Sequence, residues 1–348
     1  MIKKAAAGAV VSILLVLLAG CVATPGSSPH STPASVTPHP TATTASSPSF
    51  ALGIGCADIL TTAEVQAQVA ATVGVKVDEH SAPTDADDVA LDQAGGLRCV
   101  WGGTNRTDGG YDDGLNLALL PHAAADYATW IADAVPASQD CQVESLRCSR
   151  DLLVGDVWVE AEYTDSDRQG ATQASIEAAF GTLLDEARAR LAPVSTRHAA
   201  WTPPTDVLPS LASCADAVGK AAGILGVDPA SVTTRDDPPY RDLPEIAAER
   251  VKMSSCSWAS QDRQLDWVVV PGGGWSFGAM SVTPPQPTLI ERLRPATVAG
   301  AQAALIGCGD ACVAYLEVRG SFVDVGMDSG KDDAAVVDIA TRSVAAFR

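Results

Sequence analysis

The chain has 348 residues, a formal charge of −19 at pH 7 and 47% hydrophobic side chains. An acidic balance of this size repels nucleic acid and anionic headgroups and attracts cations or basic partners. The length gives room for two ordinary domains.

Lys3 and Lys4 open the chain, an apolar run follows from Ala5, and Leu18-Ala19-Gly20-Cys21 closes the segment. This is the layout of a secretory signal with a cysteine at the cleavage point. The run from Ala5 to Ala19 is shorter than the roughly 20 residues a spanning helix needs. Leu18 to Cys21 resembles the bacterial lipoprotein signal, which implies that Cys21 becomes the lipidated first residue of an exported protein. Loss of residues 1–20 removes two lysines and leaves −21. One acyl chain holds a protein only marginally, and the resemblance implies two or three on Cys21.

Residues 22–50 are mostly Pro, Ser, Thr and Ala. They carry no periodicity from which a core could form, so 21–50 is expected to be a lipidated tether. As a coil it would span about 30 Å.

From residue 51 the sequence runs twice through the same signals. Gly55-Cys56-Ala57-Asp58 is answered by Ser213-Cys214-Ala215-Asp216, and Cys99-Val100-Trp101 by Cys256-Ser257-Trp258. A close cysteine pair follows in each, Cys141 with Cys148 and Cys308 with Cys312. An aromatic comes ten residues later, Trp158 and Phe322. The expected architecture is α+β: two tandem, similar, disulfide-stapled domains, each an antiparallel sheet with flanking helices. The first copy spans 51–195, a linker 196–210, and the second copy 211–348.

Thr61 with Glu64 fits a helix-starting capping box, Ser213 with Asp216 a weaker one, and Gly74 and Gly226 are the expected stops. The first copy is predicted to have strands near Val75–Glu79, Leu97–Gly102, Leu115–Leu120 and Val154–Tyr163, with a helix over Ala123–Ala134. In Val154–Tyr163 the alternation puts Val157, Val159 and Ala161 on one face and Trp158, Glu160 and Glu162 on the other. The second copy is predicted to have strands near Lys252–Ala259, Leu265–Val270, Phe277–Val282 and Tyr315–Val325, with Asp228–Glu245 as a loop. Helices near Thr172–Leu191 and Asp332–Phe347 close the copies.

Eight cysteines remain after Cys21, four per copy, and in an exported chain such a set reads as a disulfide framework. Four cysteines allow three pairings. The expected one joins Cys56 to Cys99 and Cys141 to Cys148, then Cys214 to Cys256 and Cys308 to Cys312. Zinc is the competing reading, but neither C-x3-C nor C-x6-C has a histidine or second pair at ligand spacing. Trp101 and Trp258 are expected to pack against the bridges.

Motifs of catalysis are weak. Gly274-Trp275-Ser276-Phe277-Gly278 matches the nucleophile elbow G-x-S-x-G, yet no histidine follows His198 to serve as base, and the context reads as a hairpin. His80, His122 and His198 sit in no recognisable constellation. Asp85-Ala86-Asp87-Asp88 and the stretch from Asp108 to Gly114 offer oxygens, but neither follows the calcium loop, and Asp with Gly is ordinary turn chemistry. No catalytic residue, metal site or cofactor is expected.

With the lipoprotein signal, the tether, and Cys-Ala-Asp followed by C-x-W, the chain resembles actinobacterial cell-envelope lipoproteins of unknown function. Each copy is also similar in outline to the extracellular sensor domains of mycobacterial serine/threonine kinases. That resemblance implies small two-disulfide α+β domains with a ligand cleft. The expectation is a non-catalytic binding or sensor-like protein, lipid-anchored on the extracytoplasmic face of the cell membrane. Its partners are the membrane through its anchor and a small ligand or envelope protein, not nucleic acid. The alternatives are an accessory subunit of an envelope complex and a carboxylate-based hydrolase.

Overall fold

The computed structural model describes residues 47–68, 77–80, 83–103, 114–133, 141–142, 147–164, 172–194, 198, 201–235, 243–261, 263–280, 291–308, 311–327 and 332–348. Cys21, the tether up to residue 46, Gly74 and Asp108 lie outside them. Among the described residues no helix is long and apolar enough to cross a membrane.

The structure is mixed α+β, built on two antiparallel sheets. The first contains β1 (Val77–His80), β2 (Leu97–Gly103), β3 (Gly114–Leu120), β4 (Cys141–Gln142), β5 (Arg147–Val154) and β6 (Val157–Thr164), in the order β1-β2-β3-β6-β5-β4. The second contains β7 (Thr233–Arg235), β8 (Ser254–Ser260), β9 (Arg263–Val270), β10 (Glu291–Pro295), β11 (Ala303–Cys308), β12 (Cys312–Val318) and β13 (Ser321–Met327). Its order is β10-β11-β12-β13-β9-β8-β7. In both sheets the C-x-W strand lies second from one edge.

The outer face of the first sheet carries α1 (Cys56–Ile59), α2 (Thr62–Gln68) and α5 (Gln173–Leu191). Ile176, Phe180, Leu183 and Ala187 recur at helical spacing on α5 and bury against Leu117, Val157, Val159 and Ala161. The predicted alternation of β6 is observed, and its Val157 face is this core. The outer face of the second sheet carries α6 (Val218–Leu225) and α9 (Asp333–Phe347), with Ala221, Ile224, Val336, Ala340 and Phe347 over Trp258, Trp267 and Val323. Capping follows the sequence at Thr61, Asp332 and Gly226 but not at Ser213, because α6 starts at Val218 with Ala217 as its N-cap and no side-chain cap bond. Thr61 and Glu64 exchange bonds at 2.7 and 3.3 Å, Asp332 accepts from the Ala335 amide at 2.8 Å, and Gly226 ends α6 at φ 69°.

The inner faces meet through two helices, each lying on the other half's sheet. Residues 44–348 accordingly form one compact unit. α3 (Ala86–Gln93) lays Ala86, Val89 and Ala90 on Val270, Tyr315 and Phe322 of the second sheet. α7 (Leu243–Val251) lays Leu243, Ile246 and Ala247 on Leu120 and Trp158 of the first. Arg250 at the end of α7 donates to the carbonyls of Pro121 and His122 and to Asp126, each at 2.8 Å. Asp126 starts α4 (Ala124–Asp133), whose Tyr127 and Trp130 rings stand 5.6 and 5.5 Å from the Trp158 ring.

The four expected disulfides are present: Cys56–Cys99, Cys141–Cys148, Cys214–Cys256 and Cys308–Cys312. Trp101 and Trp258 are buried beside the longer bridges, and the Trp258 indole donates to the Cys214 carbonyl at 3.0 Å.

Several predicted elements are corrected. The strand expected over Phe277–Val282 is not found at Phe277–Met280, where a 3-10 turn at Gly273–Ser276 leads into the short helix α8 (Phe277–Met280); residues 281 and 282 lie outside the described residues. The run Asp228–Glu245 is not wholly loop, because it contains a 3-10 turn at Pro229–Ser231, β7 and the start of α7. Tyr315–Val325 is a hairpin, β12 and β13, turning at Arg319 and Gly320, both at positive φ. Strands β4, β5, β10 and β11, helix α3 and most of α7 were not predicted. The expected strand Val154–Tyr163 is broken by a turn at Gly155 and Asp156, which ends β5 at Val154 and starts β6 at Val157. The expected linker packs in its later part: Leu208 is buried, and its carbonyl accepts from Ser321 Oγ at 2.9 Å.

Candidate functional site

A cleft of about 290 Å³ opens on the inner face of the first sheet. Its walls are α3 with the residue before it (Asp85, Asp87, Asp88), strands β2, β3 and β6 (Arg98, Asn116, Glu160, Glu162), and Pro244 at the start of α7. Period-two alternation sends Arg98, Asn116, Glu160 and Glu162 to the face opposite the α5 core, so one rule produces both core and cleft.

Asp88 organises the wall. Only 4% exposed, it accepts from the Thr84 amide and hydroxyl at 2.8 and 2.7 Å through one oxygen and from Arg98 Nη1 at 2.6 Å through the other. Arg98 Nε donates to Asn116 Oδ1 at 3.2 Å. Burial works against the Arg98 charge, and the Asp88 carboxylate more than offsets it, so the guanidinium is held above its usual value. Asp85 caps α3 by accepting from the Asp88 amide at 3.0 Å. Burial and then the Asp88 charge push Asp85 up to about 7, and the same two causes raise Asp92. Glu162 is paired with Arg147 at 2.5 Å.

Across the seam the second sheet presents Asp324 on β13, between Tyr315 and Val268 in the ladder. Burial, then the charges of Asp85, Asp266 and Asp87, push it up to about 8. The Tyr315 hydroxyl is raised by burial first and Asp324 second, and Glu317 by burial.

The cleft therefore gathers five carboxyls and one guanidinium already committed to Asp88 and Asn116. Such a lining suits an ammonium or guanidinium group, which would replace lost water with charge-assisted hydrogen bonds. Of the sequence candidates, Asp85, Asp87, Asp88, Glu160 and Glu162 come together here. His122 pairs instead with Asp156 at 2.8 Å on the surface, His198 is exposed, and His80 lies on edge strand β1. Ser276 is fully buried and donates to the Gly273 carbonyl at 2.8 Å, which removes it as a nucleophile. Among the described residues no group of three or more His, Cys, Asp and Glu is placed to hold a metal ion. Arg98 and Asn116 are the site residues the sequence reading missed. Strand alternation could have put them beside Glu160, but not under α3.

No family model matches the chain, and no curated protein or solved structure is significantly similar to it.

Proposed function

We propose that the protein is a lipid-anchored extracytoplasmic binding protein, held by Cys21 and the 22–50 tether, whose cleft takes a small cationic ligand. The observation that carries the ligand class is the lining itself: carboxyls from α3 and β6 around a space of about 290 Å³, with its guanidinium already paired. The anchor rests on Leu18 to Cys21.

The folded part is read as a tandem pair. Aligned on their cysteines, the copies put Asp324 where Glu160 stands, each twelve positions after the last cysteine of its copy, Glu160 facing Asp151 and Asp324 facing Tyr315 in their ladders. Ser255 then falls where Arg98 stands. The second copy thus has a carboxyl at this place but lacks the arginine that holds the Asp88 wall in the first, which supports a single shaped ligand site in the first.

Titration calorimetry of the full chain with linear diamines, with guanidinium compounds and with monocarboxylates as controls tests the reading. Binding of the cations, weakened by salt and lost in Glu160→Gln, is expected. Equal silence toward all three classes would discard the cleft as a cation site.

The second reading, a carboxylate-based hydrolase, draws on Asp85 being pushed up to about 7 beside the strand carboxyls. It requires turnover of a glycoside or peptide that falls in Asp85→Asn, whereas a binding protein turns over nothing.

A further inference from the structure

The seam between α3 and the second sheet has carboxyls on both sides. Asp324 Oδ1 is buried and receives no hydrogen bond. Among the described residues, the titratable groups that bear on Asp324 are Asp85 and Asp87 from the start of α3, Asp266 from β9 and Tyr315 from β12. Asp266 is occupied by the Gln264 amide at 3.1 and 3.0 Å. Asp85 is in turn affected by Asp88, Asp87 and Arg98. That arginine is the single cation in this set, and its bonds go to Asp88 and Asn116 on the first sheet's side. The apolar contact of Ala86, Val89 and Ala90 with Val270, Tyr315 and Phe322 thus holds together two groups of like charge.

We propose that the contact of α3 with the second sheet is a proton-controlled latch, closed while Asp85 and Asp324 hold protons and loosened as both become carboxylates. Two half-buried like charges, with Arg98 alone to offset them and that arginine bonded to Asp88 and Asn116, cannot both ionise cheaply. The sign follows from linkage. Asp324, pushed up to about 8, and Asp85, pushed up to about 7, bind protons more tightly in the closed state than an ordinary aspartate at about 4 does. Their contribution is present in full below about pH 4 and is lost as pH rises through the closed-state values. Asp92, raised by burial and Asp88, acts in the same direction from the same helix.

Because α3 is also a wall of the cleft, the latch would couple the cleft's shape to the acidity outside the cell. It does not require that the cleft bind anything. Its failure therefore leaves the binding reading standing, and the failure of calorimetry leaves the latch standing.

Hydrogen exchange on the full chain, followed by mass spectrometry and corrected for the intrinsic pH dependence of exchange, tests it. Protection of α3 is expected to fall at least about tenfold between about pH 6 and about pH 9, one pKa unit being a factor of ten. The amides of α5, on the far face of the first sheet, should show no such fall. Asp324→Asn should flatten the α3 profile while melting like the parent at acid pH, and Asp85→Asn provides a second variant should the first fail to fold. Flat protection in the parent, an equal fall in α5, or an undiminished fall in both variants would overturn the latch. So would restoration of α3 protection by calcium at alkaline pH, which would make the seam a cation site.

Discussion

Among the described residues that line the cleft, Arg98 is the sole cation, and its removal separates two roles. Its Nη1 neutralises Asp88, a carboxylate 4% exposed that also ties down Thr84 at the approach to α3. Replacing one member of such a pair leaves the other charge buried and unpaired, which costs more than the pair itself contributes. Arg98→Met keeps the stem and deletes the charge. With the guanidinium one-third exposed, the expected loss is roughly 2–4 kcal/mol by urea unfolding at neutral pH. A double variant with Asp88→Asn should recover part of it. The cleft of the single variant is one positive charge poorer, so its affinity for a diamine, measured on the fraction that folds, should rise. Equal stability of Arg98→Met and the parent would show that water, not Arg98, satisfies Asp88.

At the scale of elements, the disulfides and α3 show opposite degrees of legibility. The cysteine pairs could be matched because sulfurs repeat at gaps of 43 and 42 residues, and the bridges formed where those gaps suggested. In the chain-entropy account, opening Cys56–Cys99 by a double serine substitution should cost about 4 kcal/mol, and opening Cys308–Cys312 about 2. Thermal melts of the two double variants would rank them, and a reversed order would mean that the short bridge holds its hairpin for reasons other than loop entropy. Helix α3 was missed although Asp85 and Asp88 stand at the spacing of an N-cap and its N3 partner. Those acids also fit a turn, and eight residues give too few periods to decide between them. What selects the helix is the Val89 face meeting the second sheet, a long-range contact no local pattern contains. The error at Phe277–Val282 has the same origin. Gly272 at φ 78° and Gly273 let the chain fold back over Phe322, and a Cβ on Gly273 would stand 2.8 Å from Phe322 Cβ and 2.9 Å from Val89 Cγ1. Gly273→Ala should therefore cost about 1–3 kcal/mol through overpacking, read by calorimetry, even though its backbone suits alanine. An unchanged melting temperature would show that α3 can shift away freely.

For the whole molecule, the exchange of α3 and α7 between the sheets decides how the protein unfolds. Two domains joined by a loose linker would melt separately, each keeping its own core. Here the inner face of the first sheet is covered by Leu243, Ile246 and Ala247 from α7, and that of the second by Val89 and its neighbours from α3. Detaching the halves would expose Trp158 and Phe322, both fully buried, together with the helices that cover them. Full burial of a large aromatic side chain is worth roughly 1.5–3 kcal/mol, so the separated halves would lose a large share of a stability that is only about 5–15 kcal/mol in ordinary proteins. One cooperative transition is expected, with calorimetric and van't Hoff enthalpies in agreement. Leu183→Ala in the core under α5 and Leu316→Ala in the core under α9 remove side chains buried almost completely, at about 2–5 kcal/mol each. Though they lie on opposite outer faces, both should lower that one transition. If each variant instead displaced only one of two resolved transitions, the seam would be a docking contact between self-sufficient domains, and the apolar covers on α3 and α7 would contribute less than their burial implies.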